Sequence, residues 1–135
     1  MQLQRQYNVL LIGDSCTDEW AYGSCDRLSP EAPIPVMKFR EHQSAPGMAA
    51  NVNENLKSLG INVNFLTNRE KIVKTRYVDD RSNQQIMRLD TEPVVKPLHP
   101  SQLTMAAMHS EYDAVVISDY DLSLIHISEP TRHRR

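Results

Sequence analysis

The sequence predicts an α/β fold in which a parallel-sheet core carries a small additional β sheet. Residues 9–12 form a continuous apolar run that ends at a glycine, which is typical of a buried strand. A helical pattern over residues 49–59 and a second apolar run over residues 63–66 follow, so the chain begins as a β-α-β unit. Residues 76–79 and 85–90 then alternate in polarity about a polar turn and predict a β-hairpin.

Between the first strand and the helix, the pattern predicts turns and one extended segment. Residues 21–33 contain several Gly, Ser and Pro residues and predict turns. Residues 34–39 predict a strand, with Pro33 before it and Pro35 within it. Because proline cannot donate to a neighbouring strand, this segment is expected at a sheet edge or in an open flap.

The helix over residues 49–59 is predicted from Val52, Leu56 and Leu59, which fall on one face. Gly60 follows where a left-handed cap is needed. Further along, residues 93–100 predict a connector, and residues 101–109 predict a helix that Ser101 can cap. Ala114–Ser118 then predicts a third buried strand, which ends at Asp119.

Length and composition predict one globular domain. The chain has 135 residues, 40% of them hydrophobic, which is enough for one core. A net charge of -2 gives no reason to expect a nucleic-acid partner, and no apolar run approaches the roughly 20 residues of a membrane span. The N-terminus lacks the apolar stretch of a signal peptide, and Cys16 and Cys25 are too few to cross-link a secreted fold, so a cytoplasmic location is expected. The five histidines are scattered singly and predict no metal site.

Two carboxylates follow the first strand. Asp14 and Asp18 lie where an open α/β sheet presents its ligand-binding groups. A carboxylate can accept hydrogen bonds from two sugar hydroxyls at once. The alternative is that one of them caps a turn, which the neighbouring Ser and Thr residues permit.

The segment Pro46-Gly47-Met48-Ala49-Ala50-Asn51 opens the predicted helix. Small residues let the backbone approach a ligand, and amides at a helix N-terminus attract anions and hydroxyl oxygens. Gly47 and Asn51 are therefore candidate sugar-binding residues. The alternative is a simple turn into a helix.

Together these motifs resemble the start of the ribokinase-type (PfkB) sugar kinases. Residues 83–90, Asn-Gln-Gln-Ile-Met-Arg-Leu-Asp, are most similar to the heptose 7-phosphate kinases within that family, which form the kinase domain of bifunctional ADP-heptose synthesis enzymes. The resemblance implies a ribokinase-like core with a β lid from about residues 20–40 and 74–90. It also implies the use of ATP and Mg²⁺ in the whole protein, and a homodimer formed through the lid.

The resemblance also assigns roles to individual residues. In the family, the position matching Asp18 contacts the sugar. Lys74, Arg76 and Arg88 are similarly placed to hold a sugar phosphate through charge-assisted hydrogen bonds. The alternative for these three is a solvated strand face, which is the usual place for Lys and Arg on hairpins.

The chain departs from the family at three places. Met48 stands where relatives usually have a second glycine. Residues 68–71 join two segments that relatives separate by a helix and a strand, so the sheet is expected to lose elements. After Asp121, residues 122–132 resemble a translated sequencing adapter, so residues 1–121 are expected to be kinase sequence and residues 122–135 a non-native tail. The alternative for the tail is a genuine short strand.

These departures have a chemical consequence. The family carries its general base and glycine-rich anion hole in its C-terminal half, and this chain has no glycine beyond Gly60. No catalytic residue is therefore assigned, and the chain alone is expected to be inactive. The alternatives to the sugar-binding part of a heptose kinase are a non-catalytic sugar-binding or dimerisation module and a kinase of the ribose or fructose type.

Overall fold

The computed structural model describes residues 5–109, 111–122 and 124–125, which form two β sheets and two helices. One sheet has three strands in the order β4-β1-β7, and the other has four in the order β3-β2-β5-β6. We call them the main sheet and the lid sheet. In chain order the elements are β1 (Asn8–Gly13), β2 (Ser15–Leu28), β3 (Pro35–Met48), α1 (Ala49–Ser58), β4 (Asn62–Leu66), β5 (Val73–Asp79), β6 (Gln84–Thr91), α2 (Pro100–His109) and β7 (Ala114–Ser118).

The main sheet is parallel and is centred on β1. Both neighbours run parallel to β1, with Leu11 opposite Phe65 of β4 and Val116 of β7. Residues 9–12 are buried, and Leu11 is inaccessible to solvent. The predicted α/β class, with a parallel core and a separate second sheet, is confirmed, but the second sheet is the larger of the two.

The two outer strands are less buried than the sequence predicts. Val115 and Ile117 of β7 are 57% and 58% exposed, and two of the five β4 residues are exposed. The prediction that both are buried strands is wrong for this chain. Both strands are edges of a sheet of only three strands, so fewer elements pack on them.

The lid sheet is built on a long pair of antiparallel strands. β2 and β3 each have 14 residues and pair from Ser15 opposite Met48 to Leu28 opposite Pro35. β5 pairs with β2 in parallel and with β6 in an antiparallel hairpin, as the alternating pattern predicts. β3 is an edge strand, which agrees with the prolines at its start.

The prediction of turns throughout residues 21–33 is wrong, because β2 continues to Leu28. The register of β2 against β3 shifts between Tyr22 and Gly23 and again between Ser24 and Arg27. Such bulges place turn-forming residues inside a strand without ending it. Only residues 29–34 remain outside the strands, where the Ser29 N–H donates to the Ile34 carbonyl at 2.8 Å.

Helix α1 agrees with the prediction in position but not in all of its packing. It spans Ala49–Ser58, and Gly60 has φ 78, the left-handed cap that the sequence predicts. Leu59 is 75% exposed and does not belong to the buried face. Pro46–Met48 belongs to β3, so the helix begins three residues after the start of the predicted motif.

The structure has two small apolar clusters. One contains Leu10 and Ile12 of β1 with Ala106 of α2. The other, the apolar cluster under the lid sheet, contains the buried residues Cys16, Ile72, Val95 and Leu124, with Met48, Leu98 and Leu122 packed against it.

The first residues of the predicted tail contribute to this packing. Leu124 is 2% exposed, and the Leu98 N–H donates to its carbonyl at 2.9 Å. Residues 126–135 lie outside the described residues, so the predicted origin of the tail stays a prediction. Neither helix in the described part of the chain is long and apolar enough to cross a membrane.

Candidate functional site

One face of the lid sheet gathers most of the candidate residues. Side chains on a strand point alternately to its two faces, and directly paired residues share a face. Asp18 of β2 pairs with Lys74 of β5, which pairs with Asp90 of β6. Two residues along, Trp20 pairs with Arg76, which pairs with Arg88. The charged face comprises these residues with Cys16 and Gly47, which also pair with each other.

Asp18 and Arg76 form the central ion pair of the charged face. The Arg76 Nη1 donates to Asp18 Oδ1 at 2.6 Å, and their side chains are 24% and 22% exposed. The guanidinium carbon of Arg76 also lies 5.3 Å from the centre of the Trp20 ring, within the range of a cation–π contact. The arginine is thus held from two sides and fixes the carboxylate of Asp18.

Gly47 allows the second oxygen of Asp18 to approach the β3 backbone closely. A Cβ atom built on Gly47 would overlap Asp18 Oδ2 and lie 2.5 Å from Cys16 Sγ. Any other residue would displace one of those side chains. The structure therefore brings Asp18 and Gly47 together, as the sequence-based site requires.

The remaining cations of the charged face are paired with carboxylates. Arg88 donates to both oxygens of Asp90, from Nε at 2.7 Å and from Nη2 at 2.8 Å. Lys74 Nζ lies 3.1 Å from Glu92 Oε1. Hydrogen bonds from Arg88 hold the pKa of Asp90 below its usual value, and the same bonds raise the pKa of Arg88.

These pairings make the charged face electrically balanced. Lys74, Arg76 and Arg88 each face a carboxylate rather than solvent alone. The structure brings together the three residues predicted to hold a sugar phosphate. A phosphate arriving there would compete with the carboxylates already bound.

Cys16 belongs to this site, although the sequence analysis assigned it no role. It is the buried residue of the charged face, and burial raises its pKa, with a further contribution from the negative charge of Asp18. The positive charges of Lys74, Arg76 and Arg88 lower the pKa of Cys16 by smaller amounts. The thiol therefore stays protonated near neutral pH and packs as an apolar group. Alternation along β2 could have revealed it, had residues 15–28 been recognised as a strand.

Asp14 does not share the charged face. It is inaccessible to solvent, and its Oδ2 accepts the N–H groups of Tyr120 at 3.0 Å and Leu122 at 3.5 Å. Its Oδ1 has no hydrogen-bond partner among the described residues. Asp14 therefore caps the backbone that follows β7, which is the geometry of the turn-capping alternative.

Asn51 is exposed in the first turn of α1. The residue before the helix, Met48, provides no capping side chain, and the Ala49 N–H donates to the Asp14 carbonyl at 2.9 Å. The turn between β3 and α1 is thereby tied to the end of β1. This contact sets the lid sheet relative to the main sheet.

A polar network joins the ends of β1 and β4. The Asn68 side chain accepts the Ser15 N–H at 2.7 Å and donates to the Ser15 carbonyl at 3.1 Å. The Thr67 hydroxyl donates to Ser15 Oγ at 2.7 Å. These contacts hold the short connection after β4 against the start of β2.

The chain was compared with known protein families, curated proteins and solved structures. No family model matches the chain. The bifunctional protein HldE of Helicobacter hepaticus is 30% identical over 150 aligned positions, which cover 87% of this chain and 31% of that protein. HldE of Campylobacter jejuni is 35% identical over 142 positions, covering 87% of this chain and 30% of that protein. This chain is a relative of the HldE proteins. It spans about a third of the length of the curated relatives it matches.

HldE of Coxiella burnetii is 30% identical over 166 aligned positions, which cover all of this chain and 34% of that protein. Since the chain has 135 residues, 31 of those positions have no residue here.

Among solved structures, the microbiome-derived acarbose kinase Mak1 has a TM-score of 0.46 at 15% identity, covering 84% of this chain and 46% of that one. The phosphofructokinase-2 from Escherichia coli in complex with fructose-6-phosphate has a TM-score of 0.39 at 12% identity, covering 84% and 45%. Likeness at this level says nothing about individual site residues.

Proposed function

We propose that this chain is the sugar-binding part of a ribokinase-type sugar kinase similar to the heptose 7-phosphate kinases. In the whole protein the reaction is the ATP-dependent phosphorylation of a sugar or sugar phosphate in the cytoplasm. Relationship to the HldE proteins over most of the chain supports this proposal. The partners are then small molecules, with no role for nucleic acid or a membrane.

The observation that carries the proposal is the placement of Asp18 against Arg76 and Gly47. Arg76 holds one carboxylate oxygen, and the other lies over a glycine that leaves no room for a side chain. A carboxylate fixed in this way is preorganised to accept hydrogen bonds from sugar hydroxyls, because its own conformational entropy is already lost. The neighbouring arginine donors can bind a hydroxyl or phosphate oxygen at the same place.

In this proposal the lid sheet also excludes water from the sugar site. A sheet that covers the sugar excludes water, so that ATP is consumed by transfer to the sugar rather than by hydrolysis. The 14-residue strands β2 and β3 carry Asp18 and Gly47 on that sheet, while the Asp14–Ala49 contact joins it to the main sheet. Closure of the lid would therefore move the carboxylate as one body with the cover.

A sugar phosphate as substrate fits the three cations of the charged face. Lys74 and Arg88 are already paired with Glu92 and Asp90, so phosphate binding is an exchange of anionic partners there, while Arg76 keeps Asp18 and offers its remaining N–H donors. Such exchange discriminates between substrates, because a neutral sugar gains nothing from breaking the pairs. This argument favours a heptose phosphate over a free ribose.

The phosphoryl-transfer machinery belongs to the rest of such a protein. ATP supplies the phosphoryl group, and Mg²⁺ neutralises its developing charge in the family chemistry. No group of three His, Cys, Asp or Glu side chains in the described part of this chain is placed to hold a metal. This chain contributes sugar binding and water exclusion, and alone it should transfer no phosphate.

A second candidate is a dimerisation module, which one observation favours. Met87 and Leu89 of β6 lie on the lid face opposite the charged face, and they are 51% and 48% exposed. Exposed apolar side chains on a sheet favour association with another surface. A homodimer formed through the lid of the whole protein would cover them.

Calorimetric titration of the chain with heptose 7-phosphate tests the proposed function. We expect Asp18→Asn to weaken binding by about 1–3 kcal/mol, because a buried hydroxyl contact is lost. Asp26→Asn is the matched control, since Asp26 lies on the same strand in an exposed pair with Arg81. Equal affinity of Asp18→Asn and the unmodified chain would refute the role of Asp18. Tighter binding of ribose or fructose 6-phosphate than of heptose 7-phosphate would favour a kinase of the ribose or fructose type.

A further inference from the structure

The junction of β3 and α1 contains a residue in a backbone conformation that favours glycine. Met48 has φ 56 and ψ -131. Side chains with a Cβ atom clash with their own backbone in this region, so such residues persist only where the surroundings enforce them. The strain lies directly beside Gly47, at the centre of the charged face.

The contacts around Met48 show what enforces this conformation. Its side chain packs against the apolar cluster under the lid sheet, which includes Ile72 and Val95. On either side the backbone is fixed, because Met48 pairs with Ser15 in the sheet and the Ala49 N–H donates to the Asp14 carbonyl. The two flanking contacts fix the backbone on either side of Met48. The packing of its side chain in the apolar cluster then holds Met48 in the strained conformation.

A change at Met48 would be transmitted to the sugar site. Gly47 lies so close to Asp18 and Cys16 that not even one added carbon atom fits. Rotation of the Met48 backbone toward an ordinary conformation would move Gly47 against those two side chains. The distance between the β3 backbone and the Asp18 carboxylate thus depends on the conformation of Met48.

We propose that Met48 is a positioning residue whose side chain, anchored in the apolar cluster, holds the turn between β3 and α1 in a glycine-like conformation and thereby sets Gly47 against Asp18. The part of this proposal that concerns sugar affinity rests on the proposed function. The part that concerns backbone conformation stands without it.

Two substitutions at position 48 distinguish the effect of the anchoring side chain from the effect of backbone strain. Met48→Ala removes the anchoring side chain and keeps the Cβ atom that strains the backbone. Met48→Gly also removes the anchor, but glycine adopts this conformation without strain. If the proposal is right, the smaller residue is the milder change.

Thermal unfolding gives the first comparison. We expect Met48→Gly to unfold at least about 3 °C above Met48→Ala, because relief of strain exceeds the extra chain entropy of glycine. A midpoint for Met48→Ala equal to or above that of Met48→Gly would show that no strain is stored at this position and would overturn the proposal.

Affinity for heptose 7-phosphate, measured by calorimetry, gives the second comparison. We expect Met48→Ala to bind at least about fivefold more weakly than the unmodified chain, and Met48→Gly to stay within about twofold. Val9→Ala is the matched control, since Val9 is a buried residue of β1 in the main sheet and the proposal gives it no role in anchoring Met48. It should lower the unfolding temperature and leave affinity within about twofold. Equal affinities of the two Met48 variants, or an equal loss in Val9→Ala, would refute positioning.

Reactivity of Cys16 distinguishes failure of this inference from failure of the proposed function. In a Cys25→Ser background Cys16 is the only thiol, and Gly47 covers it. We expect iodoacetamide to modify Cys16 at least severalfold faster in Met48→Ala than in Met48→Gly, well below both unfolding temperatures. Faster modification in Met48→Ala, together with no binding of heptose 7-phosphate, would refute the proposed function and support the anchoring role of Met48. Equal modification rates in the two variants would refute the anchoring role.

Discussion

The main sheet and the lid sheet differ in where they place their apolar residues. β1 of the main sheet has five consecutive buried residues, whereas all eight residues of β6 in the lid sheet are exposed. The main sheet has three strands of five or six residues, and the lid sheet has four strands, two of them 14 residues long. Buried apolar residues are therefore concentrated in one short strand, and most of the candidate binding residues lie on the larger, more open sheet.

The difference indicates what each sheet can tolerate. A buried strand depends on close packing, so small changes of volume are felt. An open strand depends on backbone pairing and on contacts between neighbouring side chains, which can be exchanged for contacts with a ligand. The charged side chains of the lid sheet are therefore available for exchange with a ligand, because they are not locked into the core.

The largest expected effect comes from shortening a side chain at the centre of β1. Leu11→Ala should lower the free energy of unfolding by about 2–5 kcal/mol, because Leu11 is fully buried and its removal leaves a cavity. Leu89→Ala in β6 is the matched control and should cost less than about 1 kcal/mol, since that side chain is 48% exposed. Urea unfolding followed by circular dichroism measures both. Equal costs would show that the two sheets share the core.

A smaller effect is expected from adding one carbon atom to the charged face. Gly47→Ala should cost about 1–3 kcal/mol of stability, because the added Cβ meets Asp18 and Cys16, and it should weaken sugar binding as well. Gly60→Ala is the comparison: no atom lies within 4 Å of its added Cβ, so its cost comes from a backbone with φ 78. Calorimetric titration should show unchanged sugar affinity for Gly60→Ala. Normal affinity of Gly47→Ala would mean that the site is looser than the structure shows.

The smallest expected effect is on the pH dependence of stability, which compares one carboxylate from each region. Asp79 of the lid sheet accepts hydrogen bonds from Ser82 and from the Cys25 N–H, and these lower its pKa from 3.8. Asp113, beside the main sheet, has its pKa lowered from the same value by the Asn8 N–H and by Arg5.

Because both folded pKa values lie below the unfolded one, the unfolded chain binds more protons as the pH falls. The stabilisation is therefore complete above about pH 5 and is lost as the pH falls through 3.8 and below. Asp79→Asn should flatten the fall in stability across this window, as should Asp113→Asn. Carbon-detected NMR titration should place both carboxyl pKa values below 3.8. A value at or above 3.8 for either carboxyl would contradict the hydrogen bonding described for it.

Local sequence patterns were sufficient to predict the strands and helices whose signals lie within a few residues. β1, α1 with its Gly60 cap, and the β5–β6 hairpin all carry short-range signals, and each was predicted from them. β2 was not predicted as a strand. Its turn-forming Gly23 and Ser24 are held in a strand by β3, and on the other side Gly23 pairs with Asp79 of β5.

The candidate site was predicted in part. The resemblance to the sugar kinases indicated Asp18, Gly47 and Arg76, which the structure brings into contact or close approach. It did not indicate that Cys16 lies beneath them. Nor could it show that each cation is neutralised by a carboxylate, since Lys74 and Glu92 are 18 residues apart and meet only through the hairpin.

The sequence by itself determined the strand of β1, the helix of α1, the hairpin, and the resemblance to the sugar kinases, because these depend on residue types at fixed short spacings. Only the tertiary structure decided that β2 is a long inner strand of the lid sheet, that Asp14 caps the backbone after β7 while Asp18 lies on the charged face, and that Met48 adopts a glycine-like conformation. These features arise from pairing between segments 30 to more than 100 residues apart. Such pairing is set by the mutual fit of whole elements, and it has no signature within any one of them.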